Sequence, residues 1–186
     1  MAKIKGVSIK STVEFLKVRL GEAGLAKLIE GMTADEAATL KDSILPSSWY
    51  EFSLLRKLMT LAEGKVALPP GRSLAWELGR FSAEEALRGI YKLFFKVADM
   101  GFIVKKAAYL FPTLYDSGEL ELVESRPNGA IMRIKNFDEP CQEFCDRMQG
   151  WMERTVELTG RKHATIEHPK CRVRGDAYCE YHGRWD

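Results

Sequence analysis

Four cysteines are the residues of this chain best placed to do chemistry. Cys141 and Cys145 stand four positions apart, and Cys171 and Cys179 flank Arg174-Gly175-Asp176. On a helix, positions i and i+4 share one stripe, so the first pair would present both sulfurs to the same neighbour. The second pair falls in a segment of strand character, and its geometry depends on the turn. A two-residue Gly175-Asp176 loop pairs Arg174 with Ala177 and sends the thiols to opposite faces of the sheet. A three-residue loop from Gly175 to Ala177 pairs Arg174 with Tyr178 and puts both sulfurs on one face. A joint site therefore demands an odd-length turn or a bulge.

Two thiolates from a helix and two from a hairpin would complete the tetrahedron that zinc prefers, with no position left for substrate. On this reading Cys141, Cys145, Cys171 and Cys179 are the metal ligands and a structural zinc is the cofactor, with Glu139, His168 or a water able to replace one cysteine. Buried free thiols and a disulfide are the alternatives. A nucleophilic thiol needs a basic neighbour to lower its pKa, and His168 and His182 are the nearest in sequence.

The rest of the chain must position these groups. With 186 residues and 46% hydrophobic content it can bury a real core. Its 28 basic and 26 acidic side chains leave a formal charge of +2 and no basic stripe, so nucleic acid is not the expected partner. The opening MAKIKGVSIKS lacks the apolar core of a secretory signal, and no segment has the length and apolarity of a membrane span. The expected compartment is the cytoplasm, where reducing conditions disfavour disulfides.

Up to about Phe111 the pattern is helical. Thr33 with Glu36, Ser48 with Glu51 and Ser82 with Glu85 each fit a capping box, and an earlier helix is expected over residues 12–30. Residues 66–73, VALPPGRS, read as a loop, which gives two readings: an N-terminal helical subdomain, 1–66, followed by an α+β ligand-binding domain, 72–186, or one continuous domain. ELELVES and AIMRIK form a hairpin through Arg126-Pro127-Asn128-Gly129, where Asn-Gly supplies positive φ. Pro140 opens a helix that stops near Gly160, and three strands follow, the last two being the cysteine hairpin. This order predicts an α+β fold: an antiparallel sheet covered by helices.

From Cys145 through Gly150, Cys171, Gly175-Asp176 and Cys179-Glu180 the chain resembles the 4-vinyl reductase domain family. A longer pattern, including Leu45-Pro46-Ser47-Ser48-Trp49-Tyr50 and Trp185, is similar to an uncharacterised bacterial family of that group, related to haem nitric-oxide-binding sensors and to the TRAPP vesicle-tethering subunits. The resemblance implies an α+β sensor fold, often dimeric, with a bound zinc near an apolar pocket. It implies three cysteine ligands, Cys145, Cys171 and Cys179, with a carboxylate that maps to Glu139.

The related haem sensors use a helix histidine and a Tyr-x-Ser-x-Arg motif. Here Tyr115-Asp116-Ser117-Gly118-Glu119 places glutamate where arginine would grip a propionate, and no histidine precedes His163, so haem is not expected. Trp76, Arg80, Tyr91, Phe94, Phe95, Met100 and Tyr109 are the candidate lining of a pocket for a hydrophobic small molecule or lipid. No phosphate loop, nucleophile elbow or two-histidine metal helix occurs, and no catalytic residue is assigned. The expected function is a noncatalytic, small-molecule-binding sensory domain acting through a protein partner or as a homodimer. A cofactor-handling reductase and a structural adaptor are the alternatives.

Overall fold

The computed structural model describes residues 1–86 and 99–186. Strand β1 (Lys3–Lys5) leads into helix α1 (Gly6–Glu30), followed by α2 (Ala34–Lys41), β2 (Trp49–Glu51), α3 (Phe52–Ala62), α4 (Leu74–Ala86) and α5 (Met100–Leu114). Then come β3 (Glu119–Arg126), β4 (Gly129–Lys135), α6 (Gln142–Leu158), β5 (Thr165–Lys170) and β6 (Cys179–Arg184). The α+β class predicted from the element order is the one observed.

Local signals act where local groups complete them. Thr33 caps α2 in a full capping box with Glu36. Ser48 does not start a helix, because residues 49–51 pair with β1 and α3 begins only at Phe52. Ser82 lies inside α4, whose first turn is instead bonded by Ser73, with the Trp76 N–H donating to its Oγ at 3.2 Å. Helix α1 starts six residues before its expected start at 12 and breaks at Gly21, which takes φ 72°.

β1 and β2 form a two-stranded sheet, and the larger sheet has the order β3-β4-β6-β5, antiparallel throughout. The β3–β4 hairpin closes through Pro127 and Asn128, with Arg126 opposite Gly129. Neither Asn128 nor Gly129 takes positive φ, so the Asn-Gly pair is not used as predicted. Of the three strands expected after α6, the first and third are β5 and β6, and the middle one, at Cys171, is replaced by a 3₁₀ turn, Arg172–Arg174.

One face of the larger sheet carries the buried Ala130, Met132 and Ile134 opposite Gly183, Tyr181 and Cys179. The other carries charged pairs such as Arg133 with Glu180 and Lys135 with Glu121. Helix α6 lies on the apolar face, where Gln149 Nε2 donates to the Ile166 carbonyl at 2.6 Å. Its far side meets α4 so closely that a Cβ on Gly150 would sit 2.0 Å from the Trp76 carbonyl oxygen, and one on Gly79 would sit 2.0 Å from that of Arg147. The buried Arg147 guanidinium donates to Thr12 Oγ1 at 3.1 Å and Ser82 Oγ at 2.7 Å, tying α6 to α1 and α4.

Candidate metal centre

The end of the sheet nearest the start of α6 is where the cysteines meet. Cys145, on the sheet-facing stripe of α6, has its sulfur 3.7 Å from that of Cys171 and 3.7 Å from that of Cys179. All three thiols are buried and none is in a disulfide. His168 joins them: one donor atom from each of Cys145, His168, Cys171 and Cys179 lies within 4.8 Å of every other. A tetrahedron with metal–sulfur bonds of about 2.3 Å needs sulfurs about 3.8 Å apart. The two sulfur separations from Cys145 meet that requirement.

The turn that brings Cys171 back to Cys179 is neither of the two considered from sequence. After β5 the chain makes the 3₁₀ turn and passes through Gly175 at φ 96°. The Cys171 carbonyl accepts from the N–H groups of Arg174 (2.9 Å) and Asp176 (3.1 Å), while the Asp176 carboxylate accepts from the Cys171 N–H at 2.7 Å. This knot leaves Cys171 and Cys179 at the base of the β5–β6 pair. The Arg172 N–H donates to Cys179 Sγ at 3.4 Å.

His168 reaches the centre through strand alternation. Ile166, two residues earlier, faces the helices, so His168 shares its side, and the register shift between Glu167 and Lys170 accommodates Pro169. Its ring stacks on Tyr181, centroids 4.3 Å apart and planes 6° from parallel. Its Nε2 is buried and has no hydrogen-bond partner. A buried imidazole nitrogen with no geometric hydrogen-bond partner beside three thiols is a donor of the kind a divalent cation accepts.

The thiols already differ in proton affinity. Cys179 is held far below the ordinary thiol range by the hydrogen bond from Cys145, against burial, with help from His168 and the Arg172 N–H. Cys145, which donates that bond and is buried, is driven the other way. A cation at the centre would reverse the preference of Cys145, because a coordinating thiol gives up its proton.

Cys141 does not belong to the group, which corrects its assignment as a ligand. It is the N-cap residue of α6 and has extended backbone, φ −145° and ψ 160°, so the i, i+4 stripe never includes it. Its thiol is pushed up to about 12, chiefly by burial. Glu139 is also engaged elsewhere, accepting from the Ala2 N–H at 2.9 Å.

The candidate pocket residues are dispersed. Trp76 is buried, with the guanidiniums of Arg72 and Arg80 4.1 and 4.7 Å from its ring centroid, and Arg80 pairs with Glu153 and Glu157. Tyr109 is 68% exposed. Met100 borders a small apolar cavity under α5. Tyr91, Phe94 and Phe95 lie outside the described residues.

No family model and no curated protein matches the sequence. Solved structures do. An H-NOX protein from S. oneidensis, in the Fe(II)NO ligation state, superposes with a TM-score of 0.74 at 14% identity, over 98% of this chain and 99% of that one. The chain has the H-NOX fold. An oxygen-binding H-NOX domain related to soluble guanylate cyclases gives 0.70 at 11% identity, covering 98% and 95%. The unliganded Fe(II) H-NOX protein from K. algicida gives 0.65 at 14%, covering 98% and 97%.

The exclusion of haem drawn from the sequence is thereby corrected, since the H-NOX fold is the haem nitric-oxide-binding architecture and spans nearly the whole chain. The absence of an early histidine and of the Tyr-x-Ser-x-Arg arginine says nothing against this fold. In this chain Asp116 accepts from the Lys3 N–H at 2.5 Å and Ser117 accepts from the Asp138 N–H at 3.3 Å. Of the histidines, His163 bonds Asp186 at the surface, His182 bonds Glu180, and only His168 enters the cysteine group. The three cysteines of that group are buried and His168 is half-buried. Among the described residues no helix is long and apolar enough to cross a membrane.

Proposed function

We propose that this chain is a noncatalytic sensory or regulatory domain of H-NOX fold, braced at the end of its sheet by a zinc-class divalent ion on Cys145, His168, Cys171 and Cys179. The observation that carries this reading is the convergence of three buried thiols and an unpartnered imidazole nitrogen within 4.8 Å. Four protein donors leave no open coordination position, which is the arrangement of a structural ion and not of one that activates water. The ion would clamp α6 to β5 and β6, and such binding energy becomes folding energy. The three cysteines match those implied by the vinyl-reductase resemblance, with His168 in place of the carboxylate.

A domain without catalytic groups of its own acts by presenting a surface, so its signal passes to a protein partner or a second copy of the chain. The sensory part of the reading is supported by the fold, since H-NOX proteins of this fold have been solved unliganded, with Fe(II)NO and as an oxygen complex.

Elemental analysis of protein purified without chelator tests the metal. The expected result is about one zinc per chain in the four-donor geometry. A chain free of zinc after growth in zinc-replete medium, and equally stable with and without chelator, overturns it. The optical spectrum of the same sample reads any haem independently.

A further inference from the structure

Between α5, α6 and the apolar face of the sheet lies a cavity of about 40 Å³, bordered by Met100, Val104, Met132, Met152, Ile166 and Tyr181 among others. Its few polar neighbours are turned to other partners. Thr155 Oγ1 donates to the Trp151 carbonyl of its own helix, and Trp185 Nε1 donates to the Pro127 carbonyl. The Tyr181 hydroxyl donates to the Cys145 carbonyl at 3.4 Å. The Thr155 oxygen and the Trp151 indole are the remaining polar atoms at its edge, so water there, although about 10–15 Å³ suffices to hold one, would have few hydrogen-bond partners. The chemistry that fits is a small apolar molecule, of the size of a gas atom or a two-carbon hydrocarbon. The three methionines give it a pliable wall.

Tyr181 connects this cavity to the metal centre. It borders the cavity and at the same time stacks on His168 and bonds the backbone of Cys145, so it touches two of the four metal ligands. We infer that the cavity is a binding site for a small apolar molecule, and that Tyr181 transmits its occupancy to the metal centre. The second part rests on the metal reading above. An occupant pressing on Tyr181 shifts the ring against which His168 is set, so ligand and ion change one another's affinity reciprocally.

The test uses the full chain loaded with zinc, with xenon as the probe. Methyl resonances of ¹³C-labelled Met100, Met132 and Met152 are followed under rising xenon pressure, and zinc affinity is read by chelator competition with and without xenon. Expected are methyl shifts that saturate and a zinc affinity that changes by about fivefold or more. Ala107→Leu, which fills the space from α5, should abolish both effects. Met152→Ala enlarges the space and should bind xenon more tightly, so a poorly folded Ala107→Leu does not protect the idea. Shifts that stay linear in pressure overturn the site. Saturating shifts with unchanged zinc affinity overturn the coupling. A chain that takes up no zinc overturns the metal reading and the coupling with it, while the methyl shifts still decide the cavity.

Discussion

His168 and Tyr181 lie ring on ring, centroids 4.3 Å apart and planes 6° from parallel, at the point where β5 and β6 meet α6. The stack fixes the plane of the imidazole and so directs its unpartnered Nε2 relative to the three thiols. Groups that orient a metal ligand without touching the metal typically contribute about 10–100-fold in affinity. Tyr181→Phe keeps the aromatic plane and should leave zinc affinity within about threefold, whereas Tyr181→Leu should weaken it by about 10-fold or more. Chelator competition separates the two, and equal losses in both variants would assign the effect to the hydroxyl bond to Cys145 instead.

The cysteines should divide three to one. Cys171→Ser and Cys179→Ser are each expected to lose the bound ion and to lower the melting temperature by about 10 °C. Cys141→Ser removes a buried thiol that lies outside the group and should keep full zinc stoichiometry, whatever its effect on stability. Zinc lost on changing Cys141 would place that thiol among the ligands.

The α4–α6 contact sets a steric prediction that is independent of any metal. A Cβ at Gly150 would meet the Trp76 backbone at 2.0 Å, and backbone cannot turn aside as a side chain does. Gly150→Ala should therefore cost about 3 kcal/mol of unfolding free energy, despite the higher helix propensity of alanine. Gly160→Ala makes the control: nothing lies within 4 Å of its Cβ, and the only penalty there is the φ of 90°. Urea titration of both variants reads the difference, and a neutral Gly150→Ala would contradict the close approach of the helices.

Glu180 gives a pH dependence with a definite sign. Its carboxyl is held below the ordinary range, first by the hydrogen bond from Arg133 Nε at 2.5 Å and then by His182, against the cost of burial. A folded pKa below the unfolded one contributes stability that is present above about pH 4.3 and fades as the pH falls through the folded value. Acid unfolding should thus steepen below about pH 4 in the wild type, and Glu180→Gln should flatten that limb while lowering stability at neutral pH. Identical acid limbs for the two proteins would remove Glu180 from the account.

The parts of this fold legible in the sequence are those that a few neighbouring residues complete by themselves. Thr33 and Glu36 satisfy one another's backbone groups within four residues, and α2 starts where they say. Cys145, Met148 and Met152 recur at helical spacing and are all buried, as such a stripe must be. The alternating apolar residues of β3 and β4 mark the hairpin even though its turn uses a different backbone from the one Asn-Gly suggests.

The cysteine–histidine group was only half legible, for a physical reason. Sequence chemistry identifies which side chains can bind a soft cation, and Cys145, Cys171 and Cys179 were visible in that sense from the start. Whether four donors meet is decided by backbone torsions and by contacts between residues 26 and 34 positions apart. Cys141 leaves the group because its extended N-cap torsions turn it off the helical stripe, and Cys171 enters because Gly175 and Asp176 close a 3₁₀ knot that no strand pattern encodes. His168 was named from sequence only as a possible substitute for one cysteine, and the stack on Tyr181 is what sets its ring beside the three thiols. Residue type thus determined the chemistry available to this protein, and tertiary packing alone decided which atoms could share it.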